Sequence, residues 1–421
     1  MTALAVHSEV GRLRTAIIHR PGLELSRLTP SNCSELLFDD VLWAERAREE
    51  HDVFARTLRD NGVTVLHFDT LLAETLADEQ ARAFVLDRIL TERSFGPALA
   101  RSLRDLTDEV DGATLAELLV GGILRTDVSP LHVRSLRWAS LELEDFVLPP
   151  LPNSLFQRDN SAWIYGGVTI NPMAKPARRR ESVHSRAVYR FHPMFRDAEF
   201  VRYYGDDDAD HQPATLEGGD IHVLGNGVVL IGMGERSTPM GVELLARALF
   251  RTGQATRVIA VQLPKSHAFM HLDTVLTMID TNTFVRYPYL DPATLRTWVV
   301  TPRDPEETVE PDRGGLHVEA RDDLFSAIRE GLGTDRLVVL SADSDTRAAE
   351  REQWDDANNF LALSPGVVVG YDRNVVTNSM LVDHGIKVLP IPGGELGRGR
   401  GGARCMTCPI RRDALQGGEQ L

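Results

Sequence analysis

The sequence predicts an α/β protein with pseudo-symmetric, propeller-like packing and a helical segment set into the chain. Three observations support this prediction: three β-hairpin patterns that resemble one another, a helix and a strand that follow two of them, and a long stretch of helical periodicity near the start. Recurrence of one supersecondary unit is typical of repeat architectures. A doubly wound sheet fits less well, because it needs parallel strands joined by helical crossovers.

The first elements of the chain lie between residues 10 and 68. A strand (LRTAIIHRP), a loop, a helix (ERAREEHDVFARTLRDNG) and a second strand (VTVLHF) are predicted there in turn. The alternation of apolar strands with an amphipathic helix indicates an α/β unit.

The next stretch, from residue 71 to about 124, has an almost continuous helical pattern. Leu103, Leu106 and Val110 recur at helical spacing, and Thr114 and Glu117 match a capping box that would begin a helix. We therefore expect a helical insertion over residues 71–145. The catalytic α/β domain would then comprise residues 1–70 and 146–421.

Three segments after Pro150 share one pattern: AWIYGGVTINPMAKPAR, HVLGNGVVLIGMGER and LALSPGVVVGYDR. Each has an apolar strand, a tight turn with glycine and a valine-rich return strand, and each ends in an arginine, namely Arg178, Arg236 and Arg373. The second and third continue into a helix and a further strand. We interpret this as an internal repeat of hairpin, helix and strand.

The composition is ordinary for a globular protein of 421 residues, with 43% hydrophobic and 25% charged residues. A net charge of −15 argues against a nucleic-acid or membrane partner and permits a small cationic substrate. Three cysteines cannot form a disulfide framework, so a reducing compartment is expected. Since no signal-peptide pattern or membrane-spanning apolar run is seen, the sequence predicts a cytoplasmic protein.

Two cysteines, Cys405 and Cys408, lie three positions apart in GRGRGGARCMTCPI. A redox pair is expected near the start of a βαβ unit, whereas this pair follows a glycine-rich loop late in the chain. A zinc site needs about four ligands, and the third cysteine, Cys33, is distant in sequence. The segment could also contain an unreactive buried thiol or a single nucleophile. The residues alone favour the buried thiol.

A nucleophilic cysteine needs a proton-transfer partner. In FMHLDTV, His271 and Asp273 are two positions apart in an apparent strand, which would direct both side chains to one face. A satisfied core histidine is the alternative. Other candidates precede strands in PNSLFQRDNSAWI and LEGGDIHVL, where turn formation alone is the competing explanation. They are Asn153, Phe156, Arg158, Asp159, Glu217 and Asp220.

The charges of these candidates indicate the kind of substrate. Several carboxylates around a thiol and an imidazole would repel an anion and suit a planar cation, and guanidinium binds carboxylates through forked hydrogen bonds. Arg178 and Arg236 could bind an anionic group at the other end of the substrate. A guanidinium and a carboxylate in one molecule describe free arginine.

Eight segments resemble the arginine deiminases of the guanidine-modifying (pentein) superfamily, in the order of that family: ELLFDD, FQRD, IYGGVTINPM, ARRRES, EGGD, GMGER, MHLDTV and GRGRGGARCM. The resemblance implies a five-bladed α/β propeller with the active site on its axis, and a helical insertion from about Leu71. It also implies hydrolysis of L-arginine to L-citrulline and ammonia without a metal or organic cofactor.

The resemblance assigns roles to individual residues. Cys405 would be the nucleophile and His271 the general acid and base. The carboxylates of Asp159 and Asp273 would hold the guanidinium nitrogens, and Glu217 would support both the guanidinium and the imidazole. The remaining substrate-binding residues would be Asn153, Arg178 and Arg236 at the substrate carboxylate, Phe156 against the substrate, and Gly399 and Arg400 in a loop that lines or closes the site.

The sequence departs from the family pattern at Cys408, where a methionine is expected, and a regulatory disulfide with Cys405 is an alternative there. Agmatine deiminase, dimethylarginine hydrolase and amidinotransferase are the related activities, and a catalytically silent binding propeller is the rival from another class. The family also suggests a homo-oligomer, a dimer or tetramer, with the helical insertion as a contact surface.

Overall fold

The computed structural model describes residues 4–128, 133–303 and 315–415. The helices are α1 (Leu23–Ser26), α2 (Ala44–Asp60), α3 (Phe68–Leu76), α4 (Glu79–Ile89), α5 (Glu92–Phe95), α6 (Pro97–Asp108), α7 (Gly112–Gly121), α8 (Leu136–Ser140), α9 (Gln157–Asn160), α10 (Arg179–Phe191), α11 (Pro193–Arg196), α12 (Pro239–Arg251), α13 (Leu324–Leu332), α14 (Thr346–Trp354) and α15 (Val375–Asp383).

The strands are β1 (Ala5–Val6), β2 (Leu13–Ile18), β3 (Thr64–His67), β4 (Ile123–Leu124), β5 (Phe146–Leu148), β6 (Ser161–Ile164), β7 (Gly167–Ile170), β8 (Val201–Arg202), β9 (Ile221–Gly225), β10 (Val228–Met233), β11 (Arg257–Gln262), β12 (Leu276–Asp280), β13 (Thr283–Arg286), β14 (Thr297–Pro302), β15 (Leu316–Arg321), β16 (Val338–Leu340), β17 (Leu361–Ser364), β18 (Val367–Tyr371), β19 (Lys387–Ile391) and β20 (Cys408–Arg412).

Five sheets in the described part of the chain contain the same three-strand unit. In each unit the middle strand pairs antiparallel with one neighbour and parallel with the other, and a helix connects the two parallel strands. The units are β20–β2–β3, β6–β7–β8, β9–β10–β11, β12–β13–β16 and β17–β18–β19. The predicted repeat of hairpin, helix and strand is confirmed, and it includes two units in which the sequence pattern was not recognised.

The hairpin turns explain why the repeat is visible in the sequence. Asn226 and Gly227 join β9 to β10 with φ of 53° and 72°, and a two-residue turn that matches the twist of its strands needs positive φ at both positions. Gly366 supplies a φ of 72° in the turn between β17 and β18. The sequence therefore predicts these turns from residue types alone.

One unit combines the two ends of the chain. Strand β20, near the C-terminus, pairs antiparallel with β2 and parallel with β1. The segment that contains Cys405 precedes β20, so this pairing brings it back to the N-terminal part of the fold. It also packs β20 against β6 of the next unit.

The strands at the centre of the fold are buried on both faces. Every residue of β9 and β10 is buried, and such strands read as continuous apolar runs instead of alternating patterns. Neighbouring units contact one another through their strands, as β12 does with β17 and β17 with β2. Within the described residues, no sheet closes into a barrel.

The predicted helical stretch is confirmed as α3 to α7. The predicted capping box is wrong: α7 begins at Gly112 and its N-cap is Asp111, whose carboxylate accepts from the Thr114 N–H at 2.7 Å. Aspartate at the N-cap satisfies the same free amides that a threonine cap would. The helices share one apolar cluster with β6, β7 and α10, so their packing continues directly into the sheets.

None of the helices in the described ranges is both long and apolar enough to cross a bilayer.

Candidate active site

The site is built from the segments that lead into the first strand of each unit. Asp159 precedes β6, Glu217 precedes β9, Asp273 precedes β12, Asn359 precedes β17 and Cys405 precedes β20. All five side chains are buried. Because the units contact one another through these entrances, five positions that are distant in sequence meet at one place.

The sulfur of Cys405 lies among polar groups although the residue is only 3% exposed. Its Sγ is 3.1 Å from Asn359 Nδ2, and 3.7 and 3.9 Å from the two carboxylate oxygens of Asp273. Burial, and then the negative charges of Asp273 and Asp159, raise the pKa of the thiol well above its ordinary value. The group is therefore a thiol at neutral pH.

His271 is in contact with two carboxylates. Its Nε2 lies 2.8 Å from Glu217 Oε2, and its Nδ1 lies 3.8 Å from Asp159 Oδ1. Burial lowers the pKa of the imidazole, but the charges of Asp159, Asp220 and Glu217 outweigh burial and raise it to about 9. The group is an imidazolium at neutral pH, ready to donate a proton.

The strand predicted to carry His271 and Asp273 is not formed at these positions. His271 has an extended backbone, Leu272–Thr274 form a short 3₁₀ turn, and β12 begins only at Leu276. The turn is held by Asp220, whose Oδ1 accepts from Leu272 N at 2.9 Å, and by Thr274 Oγ1, which donates to the His271 carbonyl at 2.7 Å. Both side chains nevertheless reach the site from this turn.

Gly219 allows the imidazole to lie where it does. A Cβ at this position would be 2.7 Å from His271 Cγ and 2.8 Å from its Nδ1, which is closer than two non-bonded atoms can approach. The same backbone donates from Gly219 N to Asp159 Oδ1 at 3.0 Å. The closeness of the imidazole therefore explains why this position, the second glycine of LEGGDIHVL, has no side chain.

Glu217 and Asp220 differ in charge although both are buried. Burial raises the pKa of Glu217, but Arg236 and His271 reverse that effect and hold it below its ordinary value. Burial also raises the pKa of Asp220, here to about 7, although Ser237 Oγ donates to its Oδ2 at 2.6 Å. Glu217 is therefore the permanent anion of the pair.

Arg178 and Arg236 lie in the site, where they are paired with its carboxylates. Arg178 donates to Asp159 Oδ2 at 2.7 Å, to both oxygens of Glu181 and to the carbonyls of Asn153 and Phe156. Arg236 donates to Glu217 Oε2 at 3.2 Å. The carboxylates at this position therefore accept hydrogen bonds from guanidinium groups.

One group of side chains could hold a metal ion by its composition. Ligand atoms of Asp159, Glu217 and His271 lie within 4.8 Å of one another. These atoms already face two guanidinium groups and each other. The donor set thus suits either a metal ion or a guanidinium group, and the structure places the guanidinium groups of Arg178 and Arg236 against it.

Asp273 is joined to a buried arginine that no sequence pattern distinguishes. Arg404 Nη1 donates to Asp273 Oδ2 at 2.7 Å, and its Nε donates to Glu9 Oε2 at 3.1 Å. Arg404 is 1% exposed, and these two anions together raise its pKa despite burial. Oδ2 of Asp273 is therefore engaged by Arg404, while Oδ1 lies 3.9 Å from the sulfur of Cys405.

The predicted loop residues meet two aromatic side chains. The rings of Phe38 and Phe156 are stacked with centroids 6.2 Å apart, and a Cβ at Gly399 would lie 2.9 Å from Phe38. Asn153 Nδ2 donates to the Leu36 carbonyl at 2.7 Å. The segment ELLFDD and the glycine-rich loop thus come together around Phe156.

Arg400 lies in the same loop in a left-handed conformation, with φ of 62°. Its guanidinium carbon is 3.6 Å from the centroid of the Trp354 ring, a cation–π contact. The side chain is buried and interacts electrostatically with Asp39 and Asp356.

Cys405 and Cys408 face different parts of the interior. Cys405 packs in the cluster that contains Phe38 and Tyr371, whereas Cys408 packs in the cluster of β6 and α10. Cys408 Sγ is 3.6 Å from the Ser161 carbonyl, and both thiols are free. This arrangement favours one thiol in the site and one in the core.

Asn359 and Arg404 were not identified from the sequence. Asparagine in a loop is normally explained by turn formation, and a lone arginine by solvent exposure. A signal for Asn359 existed, because it precedes the hairpin LALSPGVVVGYDR as Asp159 and Asp220 precede the other two. No comparable signal existed for Arg404, whose partner Glu9 is 395 residues away.

Comparison with known proteins agrees with this geometry. The family model described as "ADI: Arginine deiminase" matches residues 34–412. Similar solved structures include SxtG, an amidinotransferase from Microseira wollei in the saxitoxin biosynthetic pathway, with a TM-score of 0.56, 14% identity and 98% of each chain covered. The product-bound N-terminal domain of ArgZ, an arginine dihydrolase from the ornithine-ammonia cycle in cyanobacteria, has a TM-score of 0.51 and 13% identity, over 95% of this chain and 98% of that one.

A third similar structure is a mutant of DDAH from Pseudomonas aeruginosa complexed with citrulline, with a TM-score of 0.50 and 14% identity, over 94% of this chain and 99% of that one. At these identities the likeness concerns the fold, which is the α/β pentein fold. The family match covers nearly the whole chain and includes every site residue discussed above except Glu9. This protein belongs to the arginine deiminase family.

Proposed function

We propose that this protein is an arginine deiminase that hydrolyses L-arginine to L-citrulline and ammonia through a covalent intermediate on Cys405. The observation that carries the proposal is a buried thiol 3.7 Å from Asp273 Oδ2, in a site whose other carboxylates contact the imidazolium of His271 and accept hydrogen bonds from guanidinium groups. Family membership, and likeness to proteins described as an arginine dihydrolase and as DDAH complexed with citrulline, support the same class of substrate.

The carboxylates would bind and orient the guanidinium of the substrate. Asp273 Oδ1 lies 3.9 Å from the sulfur, while its other oxygen is engaged by Arg404. A guanidinium nitrogen bound to Oδ1 places the central carbon next to Sγ of Cys405. Asp159 would bind from the other side, and the anions keep the guanidinium charged, which offsets the cost of burying it.

Nucleophilic attack would begin only when the cationic substrate is in place. The thiol has a raised pKa in the free enzyme, chiefly through burial and the nearby carboxylates. A guanidinium cation beside the sulfur opposes that effect and favours the thiolate. The thiolate then forms a bond to the guanidinium carbon, which yields a tetrahedral adduct.

His271 would act twice in the reaction. As an imidazolium it donates a proton to the departing nitrogen, so that ammonia leaves and a thiouronium remains on Cys405. The neutral imidazole then takes a proton from water as the oxygen bonds to the same carbon. Breakage of the carbon–sulfur bond releases citrulline, and the second proton of the water returns to the sulfur, which restores the thiol. The proton lost when that thiol ionised is taken up by the ammonia, which leaves as ammonium.

Of the two arginines, Arg236 is better placed to bind the substrate carboxylate. The donors of Arg178 are engaged by Asp159, Glu181 and two carbonyls. Arg236 donates to Glu217, and its Nε, which lies 3.5 Å from Glu235, has no hydrogen-bond partner among the described residues. Arg178 would then mainly hold Asp159 in position, and Asn153 would assist at the carboxylate.

The remaining expectations from the sequence are part of the same proposal. The five three-strand units would be the blades of a propeller formed by residues 1–70 and 146–421, with residues 71–145 as the helical insertion. Phe156 would pack against the substrate, and the loop of Gly399 and Arg400 would close the site. A homodimer or tetramer stays a prediction.

The proposal is tested by incubating the purified protein with arginine, agmatine and dimethylarginine, and by assaying ammonia and ureido products. Citrulline from arginine alone is the expected result, because agmatine lacks the carboxylate and methyl groups crowd the guanidinium-binding carboxylates. Ornithine formed together with amidine transfer to glycine would instead identify an amidinotransferase. Binding of arginine without any product would support the silent propeller.

A further inference from the structure

Asn359 makes more contacts with the nucleophile than any role in a turn requires. The residue is 1% exposed and lies just before β17. Its Oδ1 accepts from Arg404 N at 3.0 Å and from Cys405 N at 3.1 Å. Its Nδ2 is 3.1 Å from the Asp273 carbonyl oxygen and 3.1 Å from Cys405 Sγ.

The orientation of this amide is determined by its neighbours. A backbone N–H can only donate, so the atom facing Arg404 N and Cys405 N must be the oxygen. A backbone carbonyl can only accept, so the atom facing the Asp273 carbonyl must be the nitrogen. The second N–H of Nδ2 is then directed at the sulfur of Cys405 as a donor.

We propose that Asn359 is a further catalytic residue, whose Nδ2–H donates to the sulfur of Cys405 and stabilises its thiolate. The inference rests on the proposed function, in which Cys405 is the nucleophile. A donor at 3.1 Å favours the anionic sulfur, because a hydrogen bond to a charged atom is stronger than one to a neutral thiol.

The charges around the sulfur explain why such a donor is needed. The carboxylates of Asp273, Asp159 and Asp356 all disfavour the thiolate. Asp273 and Asp159 cannot be removed without losing the groups that bind the guanidinium. A neutral amide supplies a positive N–H dipole without adding a cation that would repel the substrate.

The same side chain also orients the nucleophile. By accepting from two successive backbone amides, Oδ1 holds the turn that carries Cys405. The turn approaches closely: a Cβ at Gly402 would lie 2.7 Å from Asn359 Oδ1 and 2.8 Å from its Cβ. Gly402 therefore has no side chain at the point where the glycine-rich loop meets Asn359.

The test compares Asn359→Asp and Asn359→Ala with the parent protein, all in a background with Cys33→Ser and Cys408→Ser. Aspartate keeps the shape and the acceptor of the amide but replaces the donor with a negative charge, whereas alanine removes the donor without adding a charge. We measure alkylation of Cys405 by iodoacetamide as a function of pH without substrate, and kcat and KM for arginine.

We expect the pKa of the thiol to rise by about one to two units in both variants, as is typical for loss of a hydrogen bond to a charged group. At a fixed pH below the pKa, the thiolate fraction falls while each remaining thiolate is more nucleophilic, so the alkylation rate falls about three- to tenfold. The value of kcat should fall by about tenfold or more with KM little changed.

Asn374→Ala is the matched control. Asn374 is also buried and donates to a backbone carbonyl, that of Asp355 at 2.8 Å, but it does not contact the sulfur. This variant should keep the parent alkylation profile even if it is less stable. An unchanged alkylation profile in Asn359→Ala, or an equal change in Asn374→Ala, overturns the proposal.

One further measurement keeps the proposal testable whatever the variants do. If they do not fold, selective ¹⁵N labelling of asparagine in the parent protein shows whether one side-chain amide signal shifts as Cys405 ionises; absence of such a signal contradicts the proposal. Alkylation needs no substrate. A changed alkylation profile in a protein that makes no citrulline would thus refute the proposed function and not the role of Asn359.

Discussion

Replacing Glu217 by glutamine should lower the pKa of His271 and move the alkaline limit of activity to lower pH. The imidazole lies 2.8 Å from Glu217 and 3.8 Å from Asp159, and its pKa is raised from 6.5 to about 9 against the effect of burial. Glutamine keeps the shape of the side chain but removes its charge. The imidazolium then loses one of the anions that stabilise it.

The size of the effect follows from the raised pKa. A rise from 6.5 to about 9 corresponds to about 3 kcal/mol in favour of the imidazolium. Asp159 is unchanged in the variant, so we expect the pKa of His271 to fall by about one to two units instead of losing the shift completely.

The same shift predicts how stability depends on pH. A histidine whose pKa is higher in the folded state stabilises the fold fully below its unfolded pKa, and the contribution is lost as the pH rises through the folded value. For His271 this window extends from about pH 6.5 to about 9. In Glu217→Gln the window should end at lower pH.

The measurements are an NMR titration of the His271 ring and the pH dependence of kcat. Glu235→Gln is the control, because Glu235 is partly exposed and pairs with Lys175 at 2.6 Å and with Arg236 at 3.5 Å, but forms no ion pair with His271 among the described residues. An unmoved His271 titration in Glu217→Gln would refute the electrostatic account, as would an equal shift in the control.

Three other predictions concern the thiols, a glycine and the buried arginine. Cys405→Ser should abolish citrulline formation while Cys408→Ser retains it, and equal loss in both would contradict a single nucleophile. Gly219→Ala should lower kcat at least tenfold, because its methyl group would meet the imidazole at 2.7 Å, whereas wild-type kcat would show that the backbone can shift. Arg404→Met leaves Asp273 a buried anion without its partner and should cost about 3–5 kcal/mol in urea unfolding; a loss below about 1 kcal/mol would show that the pair is not needed for stability.

The repeated hairpins were the part of the fold that the sequence specified most clearly. Turns such as Asn226–Gly227 need positive φ, which few residue types adopt, and the strands beside them are valine-rich. The units β12–β13–β16 and β20–β2–β3 were missed. In the first, β14 and β15 are inserted before the third strand, and in the second the strands come from opposite ends of the chain.

The sequence indicated which side chains meet at the candidate site better than it indicated the backbone structure that carries them. His271 and Asp273 were expected on one face of a strand, whereas a 3₁₀ turn carries them. The competing interaction is the side chain of Asp220, which accepts from the Leu272 amide and holds the turn. Alternation of residue types cannot reveal a hydrogen bond to a residue 52 positions away.

The sequence by itself determined which groups the protein possesses: a thiol after a glycine-rich loop, an imidazole, and carboxylates at strand entrances. Those residue types and their short-range spacing depend only on neighbouring positions in the chain. Tertiary structure decided their chemistry, because charge state and reach depend on distances between remote segments. Only the fold pairs Arg404 with Asp273 and Glu9, turns the amide of Asn359 toward Cys405, and directs Cys408 into a different part of the core.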